Sequence, residues 1–145
     1  GQGMNAGFED CRILDELLDR FSDDWDAALA EYQRMRKPAG DAVAQLALDN
    51  FVEMRDKVAD PRFILRKKIE LLLFEHFPEL YTPLYTLVTF TPEVSYDEAY
   101  RRGQVNERVI SEIMALPDID QRWDDPAMLD TYRQILERYG TARSA

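Results

Sequence analysis

The chain has 145 residues, 46% of them hydrophobic and 32% charged, which suits one ordinary core inside a soluble globular domain. A formal net charge of −10, with no stripe rich in lysine and arginine, argues against nucleic-acid or anionic-membrane partners, because both need a basic surface. The single cysteine excludes an internal disulfide, and the longest apolar run, Leu71 to Phe74, is far below the roughly 20 residues that span a bilayer, so a reducing, cytoplasmic location is expected.

The first segment, Gly1-Gln2-Gly3-Met4-Asn5, reads as a glycine-framed turn running into a helix. Two glycines let a backbone take positive φ and approach a flat or anionic ligand, while the helix that follows aims its free N–H groups there. Many Gly-x-Gly turns bind nothing, so the spacing leaves both readings open. The helix itself carries Phe8, Cys11, Leu14, Leu17, Leu18 and Phe21 on one stripe, with Cys11 expected as a packed side chain and Glu9 and Asp10 facing the positive end of the dipole. A second helix is expected from about Asp24 to Lys37, capped by Ser22 or Asp23, with Trp25, Ala28, Leu29, Tyr32 and Met35 inward, and Pro38-Ala39-Gly40 should end it.

A third helix should run from Asp41 to about Val58, with Val43, Leu46, Ala47, Asn50, Phe51, Met54 and Val58 on one buried stripe. Asp60 and Pro61 then suit the N-cap and first position of a fourth helix that Pro78 stops. The stretch Tyr81 to Pro92 is β-branched, aromatic and bounded by prolines, so it reads as extended or irregular, a lining loop without sheet partners. A fifth helix is expected over about Tyr96 to Leu116 and a sixth over about Pro126 to Tyr139, with Pro117 to Asp125 as the most mobile connection. The expected fold is thus mostly α, with about six helices and one extended segment near 83–91.

Two polar residues stand out. Asn50 is the one polar member of its stripe, and burying a primary amide without partners costs about 1–3 kcal/mol, so it either ties down a neighbouring backbone or meets a ligand. Tyr85 has an apolar body and a polar tip, which suits either a core position with the hydroxyl at the surface or the wall of an aromatic pocket. Tyr81, Tyr96, Tyr100 and Tyr132 read as packing tyrosines, His76 as a surface or packed residue, and the acids between Asp15 and Asp26 as a solvated face. No Ser-His-Asp, Cys-His, phosphate-loop or zinc spacing occurs, so no metal site or self-contained catalytic constellation is expected.

Three stretches resemble one family. Gly-Gln-Gly-Met-Asn with Gly-Phe-Glu-Asp-Cys (1–11), Leu-Ala-Leu-Asp-Asn-Phe-Val-Glu-Met-Arg (46–55) and Pro-Leu-Tyr-Thr-Leu-Val-Thr-Phe (83–90) are similar to segments of kynurenine 3-monooxygenases, FAD- and NADPH-dependent aromatic hydroxylases. The resemblance covers about residues 1–110. It implies that Gln2, Gly3, Met4 and Asn5 contact FAD, with the backbone at Met4 and Asn5 on the pyrimidine edge of the isoalloxazine, and that Asn50 and Tyr85 hold the amino-acid end of L-kynurenine. It also implies that the flavin performs the oxygen chemistry while the protein positions substrate and keeps water out.

The family's N-terminal dinucleotide-binding unit has no counterpart here, so the resemblance implies a C-terminal fragment, inactive alone, with residues 1–21 ending the FAD-binding domain and 22–145 forming a helical substrate lid. The missing N-terminal half is then the expected partner, and the stripe from Phe8 to Phe21 should face it or drive self-association. The ending Arg-Tyr-Gly-Thr-Ala-Arg-Ser-Ala lacks the membrane segment of eukaryotic members, which implies a bacterial-type soluble enzyme. The alternatives are a relative acting on another aromatic amino acid, and an acidic helical interaction module without chemistry.

Overall fold

A computed structural model describes residues 2–22, 24–56 and 60–140. The chain runs α1 (Gly3–Arg20), α2 (Trp25–Asp56), α3 (Pro61–His76), α4 (Leu84–Phe90), α5 (Tyr96–Ile113), α6 (Ile119–Arg122), a 3₁₀ turn (Pro126–Met128) and α7 (Leu129–Gly140). Among the described residues there is no strand, as the mostly α reading requires.

The larger core joins Ile69 and Leu73 of α3, Val109, Ile110 and Ile113 of α5, Ile119 of α6 and Tyr132, Ile135 and Leu136 of α7. A smaller one joins Ile13 and Leu17 of α1 to Ala28 of α2. Helix α5 is the hub, packing against α2, α3, α4 and α7. Its residues Ala99, Gly103, Asn106, Val109, Ile110 and Ile113 recur at helical spacing and are all buried.

Local signals fix two helices, the first as expected and the second through a cap that was not singled out. Asp60 caps α3, its carboxylate accepting from the Arg62 N–H at 2.9 Å with Pro61 in the first turn, and Ser95 caps α5 by accepting from the Glu98 N–H.

Elsewhere packing overrides the local signals. The expected second and third helices are one continuous α2 with Pro38 inside it. A proline in a helix interior loses one hydrogen bond and costs about 3 kcal/mol, but this helix is held on both sides of it. Before Pro38, the almost fully buried Arg36 pairs with Asp10 at 2.6 Å and Glu9 at 3.1 Å on α1. Beyond it, Ala39, Ala42 and Leu46 are buried. The cap of α2 comes from Asp24, whose carboxylate accepts from the Ala27 N–H at 3.2 Å, rather than from Ser22, and Asp23 lies outside the described residues.

The segment expected to be extended near 83–91 is instead the helix α4, started by Pro83. Its strand-like composition yields because Leu87 is buried and Leu84 packs directly over Gly103, where no side chain stands in the way. The connection expected to be mobile holds α6, anchored by the buried Ile119. The expected glycine turn is also helical: Gly3 and Gly7 lie within α1, and no described glycine has positive φ. Cys11 is exposed rather than packed, and so are Trp25, Leu29 and Met35; of the α1 stripe expected to face a missing half, Phe8 is exposed as expected, but Leu17 is buried and Leu18 and Phe21 pack beside it against the chain's own α2. Val58 lies outside the described residues.

Candidate functional site

Asn50 and Tyr85 come from separate helices and line one cleft of about 340 Å³. Helix α2 contributes Leu46, Asp49, Asn50, Val52 and Glu53, α3 contributes Arg66, α4 contributes Leu84 and Tyr85, and α5 contributes Gly103, Gln104 and Glu107. Asn50 is exposed in this cleft and not buried on an apolar stripe, and its neighbours Phe51 and Met54 are exposed as well. Of that stripe Leu46 is buried, where α2 packs against α5, whereas beyond it the helix runs out of cover, and the neighbouring Asp49 accepts from the Tyr100 hydroxyl of α5 at 3.3 Å. Among the described residues the buried side-chain amide is Asn106, which donates to the Thr82 carbonyl at 2.7 Å and so ties the approach to α4 onto α5.

Neither the Asn50 amide nor the Tyr85 hydroxyl has a side-chain hydrogen bond among the described residues, so both remain available to a ligand. Partial burial, with the carboxylates of Glu53 and Asp49 nearby, holds the Tyr85 phenol above its ordinary pKa, so it stays protonated and able to donate. Burial works against the charge on Arg66, but hydrogen bonds to Glu107 and Glu70 more than offset it and raise its pKa further. The cleft therefore combines two neutral donors with carboxylates and one guanidinium already engaged by acids. Sequence reading missed Glu53, Arg66 and Glu107. The spacing of Arg66 and Glu70 announces a helical ion pair, but nothing local announces that Arg66 also reaches Glu107 on α5.

Gln2, Gly3, Met4 and Asn5 lie at the open end of α1. Gln2 precedes the helix without a side-chain cap, Met4 is 70% exposed, and the first-turn N–H groups have no partner inside the helix. The Gln2 amide donates to Thr89 Oγ1 at 3.0 Å, and the Asn5 amide donates to Gln2 Oε1 at 3.2 Å. A second cleft of about 250 Å³ opens beside them, lined by Asn5, Glu9, Arg12, Val88, Thr89 and Tyr96 among others. Helix α4 thus links the two places, with Tyr85 one turn, about 6 Å of rise, before Thr89. A more open groove of about 630 Å³ along α2, lined by Ala30, Arg34, Lys37 and Asp41, holds none of the candidate residues.

Among the described residues no group of three or more histidine, cysteine or carboxylate side chains is placed to hold a metal ion, and no helix is long and apolar enough to cross a membrane.

No family model matches the chain. Individual proteins do. It is 45% identical over 140 residues to a kynurenine 3-monooxygenase of Cytophaga hutchinsonii, covering 96% of this chain and 31% of that protein. It is 47% identical over 138 residues to the Christiangramia forsetii protein of the same name, covering 95% and 31%. The Sus scrofa kynurenine 3-monooxygenase is 44% identical over 111 residues, 77% of this chain and 23% of that protein. The longer matches extend well past the 1–110 region in which the resemblance was expected. The sequence relationship is therefore with the kynurenine 3-monooxygenases, covers this chain nearly end to end, and spans about three-tenths of the length of those relatives.

Proposed function

We propose that this chain is the C-terminal helical region of a flavin-dependent monooxygenase that converts L-kynurenine to 3-hydroxykynurenine with NADPH and O2. The observation that carries the reading is the meeting of Asn50 and Tyr85 in one cleft with their donors unused. Asn50 supplies amide donors and Tyr85 a hydroxyl donor to the carboxylate of the substrate's amino-acid end, and the nearby acids suit its ammonium. That preference counts against simple aromatic acids as substrates.

Residues 1–21 would meet the edge of a bound flavin, because the open first turn of α1 presents N–H groups and a positive dipole end near the cleft that Asn5 lines, where an anionic ring edge is stabilised. Gln2, Gly3, Met4 and Asn5 would make those contacts, and residues 22–145 would form the substrate lid. FAD, reduced by NADPH, supplies the oxygen transfer to the aromatic ring. This chain's own residues orient the substrate, and the surface around Leu48, Phe51 and Met54 is left for an N-terminal FAD-binding half to cover. By itself the chain would be inactive, since one turn cannot replace the adenosine and pyrophosphate contacts, and its exposed apolar residues would favour self-association. A cytoplasmic location belongs to the same reading.

Steady-state kinetics of Asn50→Ala and Tyr85→Phe in a full-length enzyme carrying this chain test it. Each lost bond to a charged substrate group should lower kcat/KM by about ten- to a hundred-fold, equivalent to roughly 1.5–3 kcal/mol, with less hydroxylation per NADPH consumed. Wild-type kinetics and coupling in two well-folded variants would make both residues merely structural.

A further inference from the structure

A line of alternating charges runs across the wall of the Asn50–Tyr85 cleft. Glu53 of α2 meets Lys67 of α3 at 3.3 Å, Lys67 meets Glu70 at 3.2 Å, Glu70 meets Arg66 at 2.9 Å, and Arg66 reaches Glu107 of α5. Each of the three inner members has a partner of opposite sign on both sides. Isolated exposed ion pairs contribute little, because solvent and side-chain entropy cancel the attraction, but a shared network with half-buried members is ordered as a unit. Glu70 and Arg66 are such members, with 13% and 22% of their side chains exposed. Apolar packing does not hold the outer wall here, since Leu48, Phe51 and Met54 of α2 face solvent.

We propose that this line is a strut that sets the spacing of the cleft walls, and that Arg66 is a positioning residue holding Asn50 where it and Tyr85 can grip the same ligand. The inference rests on the reading of Asn50 and Tyr85 given above. Arg66 sits where the line crosses from α3 to α5. Removing its charge leaves Glu107 without its cation and Glu70 with Lys67 alone, so the segment of α3 that braces Glu53 through Lys67, and with it the turn of α2 that carries Asn50, loses its charged tie to α5 at the cleft. Glu107 is as necessary as Arg66, because it is the α5 end of the strut.

The test is KM and kcat for L-kynurenine in a full-length kynurenine 3-monooxygenase carrying this chain, with Arg66→Gln, Arg66→Lys and Glu107→Gln, and with Tm measured alongside. A strut raises KM about tenfold in both Arg66→Gln and Glu107→Gln. It leaves kcat within about twofold at saturation, and gives partial recovery in Arg66→Lys, which keeps a charge without the planar fork. If Arg66→Gln alone raises KM while Glu107→Gln does not, Arg66 contacts substrate directly and the strut is wrong. Unchanged KM in both, with only Tm lowered, makes the line purely structural and also overturns it. Tyr85→Phe in the same series separates the two claims: a wild-type KM there overturns the reading of the cleft, whereas a raised KM there with wild-type values in both strut variants overturns the strut alone.

Discussion

Tyr132 is enclosed by the larger core, its hydroxyl donating to the Trp123 carbonyl at 3.0 Å, and burial, with Asp124 beside it, pushes its phenol up to about 12 from an ordinary value of 10.0. Because folding raises this pKa, the stability it contributes is complete below pH 10 and is lost as pH climbs through the folded value, by up to about 3 kcal/mol. Denaturant unfolding across the alkaline range should show that loss, and Tyr132→Phe should flatten it while costing about 1 kcal/mol at neutral pH through the orphaned carbonyl. An unchanged alkaline slope in Tyr132→Phe would assign the loss to other groups. The two asparagines show how far single residues could be read. Periodicity put the buried amide at Asn50, whereas it sits at Asn106, on a stripe of α5 that has the same spacing. Asn50 still lines the candidate cleft, but its pairing with Tyr85 came from the wording of two segments and not from any spacing between them.

Helix α3, bounded by strong local chemistry, was legible because a cap and a proline act within a few residues of themselves, and α5 was legible from its pattern although its Ser95 cap was not singled out. Helices α2 and α4 were not, because the deciding contacts are distant: Arg36 with α1 for the passage through Pro38, and Leu84 with Gly103 for the helix over 84–90. That last contact makes Gly103 a test of how α4, and Tyr85 with it, is placed. A Cβ built at Gly103 would stand 2.9 Å from both Leu84 methyl carbons. Gly103→Ala should be close to neutral, since the Leu84 tip can turn away and alanine gains helix propensity of about 1 kcal/mol. Gly103→Val should destabilise by about 1–3 kcal/mol, because a branched side chain demands movement of α4 itself. Thermal unfolding of the two variants measures this, and equal stability for both would mean that α4 does not depend on the close approach.

At the scale of the molecule, the charge balance and the lack of a membrane-spanning helix among the described residues follow from composition, and the helical class from the spacing of apolar residues. The architecture does not, because α5 becomes the hub only when helices far apart in sequence meet. Its two clefts are bridged by α4, and the proposed function assigns one to a flavin edge and the other to a substrate's polar end. Met4, Phe8, Phe51, Met54 and Phe90 are exposed, the apolar surface that the proposed function leaves for an N-terminal half. The most direct measurement is a chimera in which this chain replaces the matching third of the Cytophaga hutchinsonii kynurenine 3-monooxygenase, assayed for L-kynurenine-dependent NADPH oxidation and 3-hydroxykynurenine formation. The chimera should bind FAD and hydroxylate L-kynurenine, Asn50→Ala in it should lower kcat/KM by at least about tenfold, and the chain alone should form no product. A well-folded, FAD-loaded chimera that makes no 3-hydroxykynurenine, or one indifferent to Asn50→Ala, would contradict the proposed function.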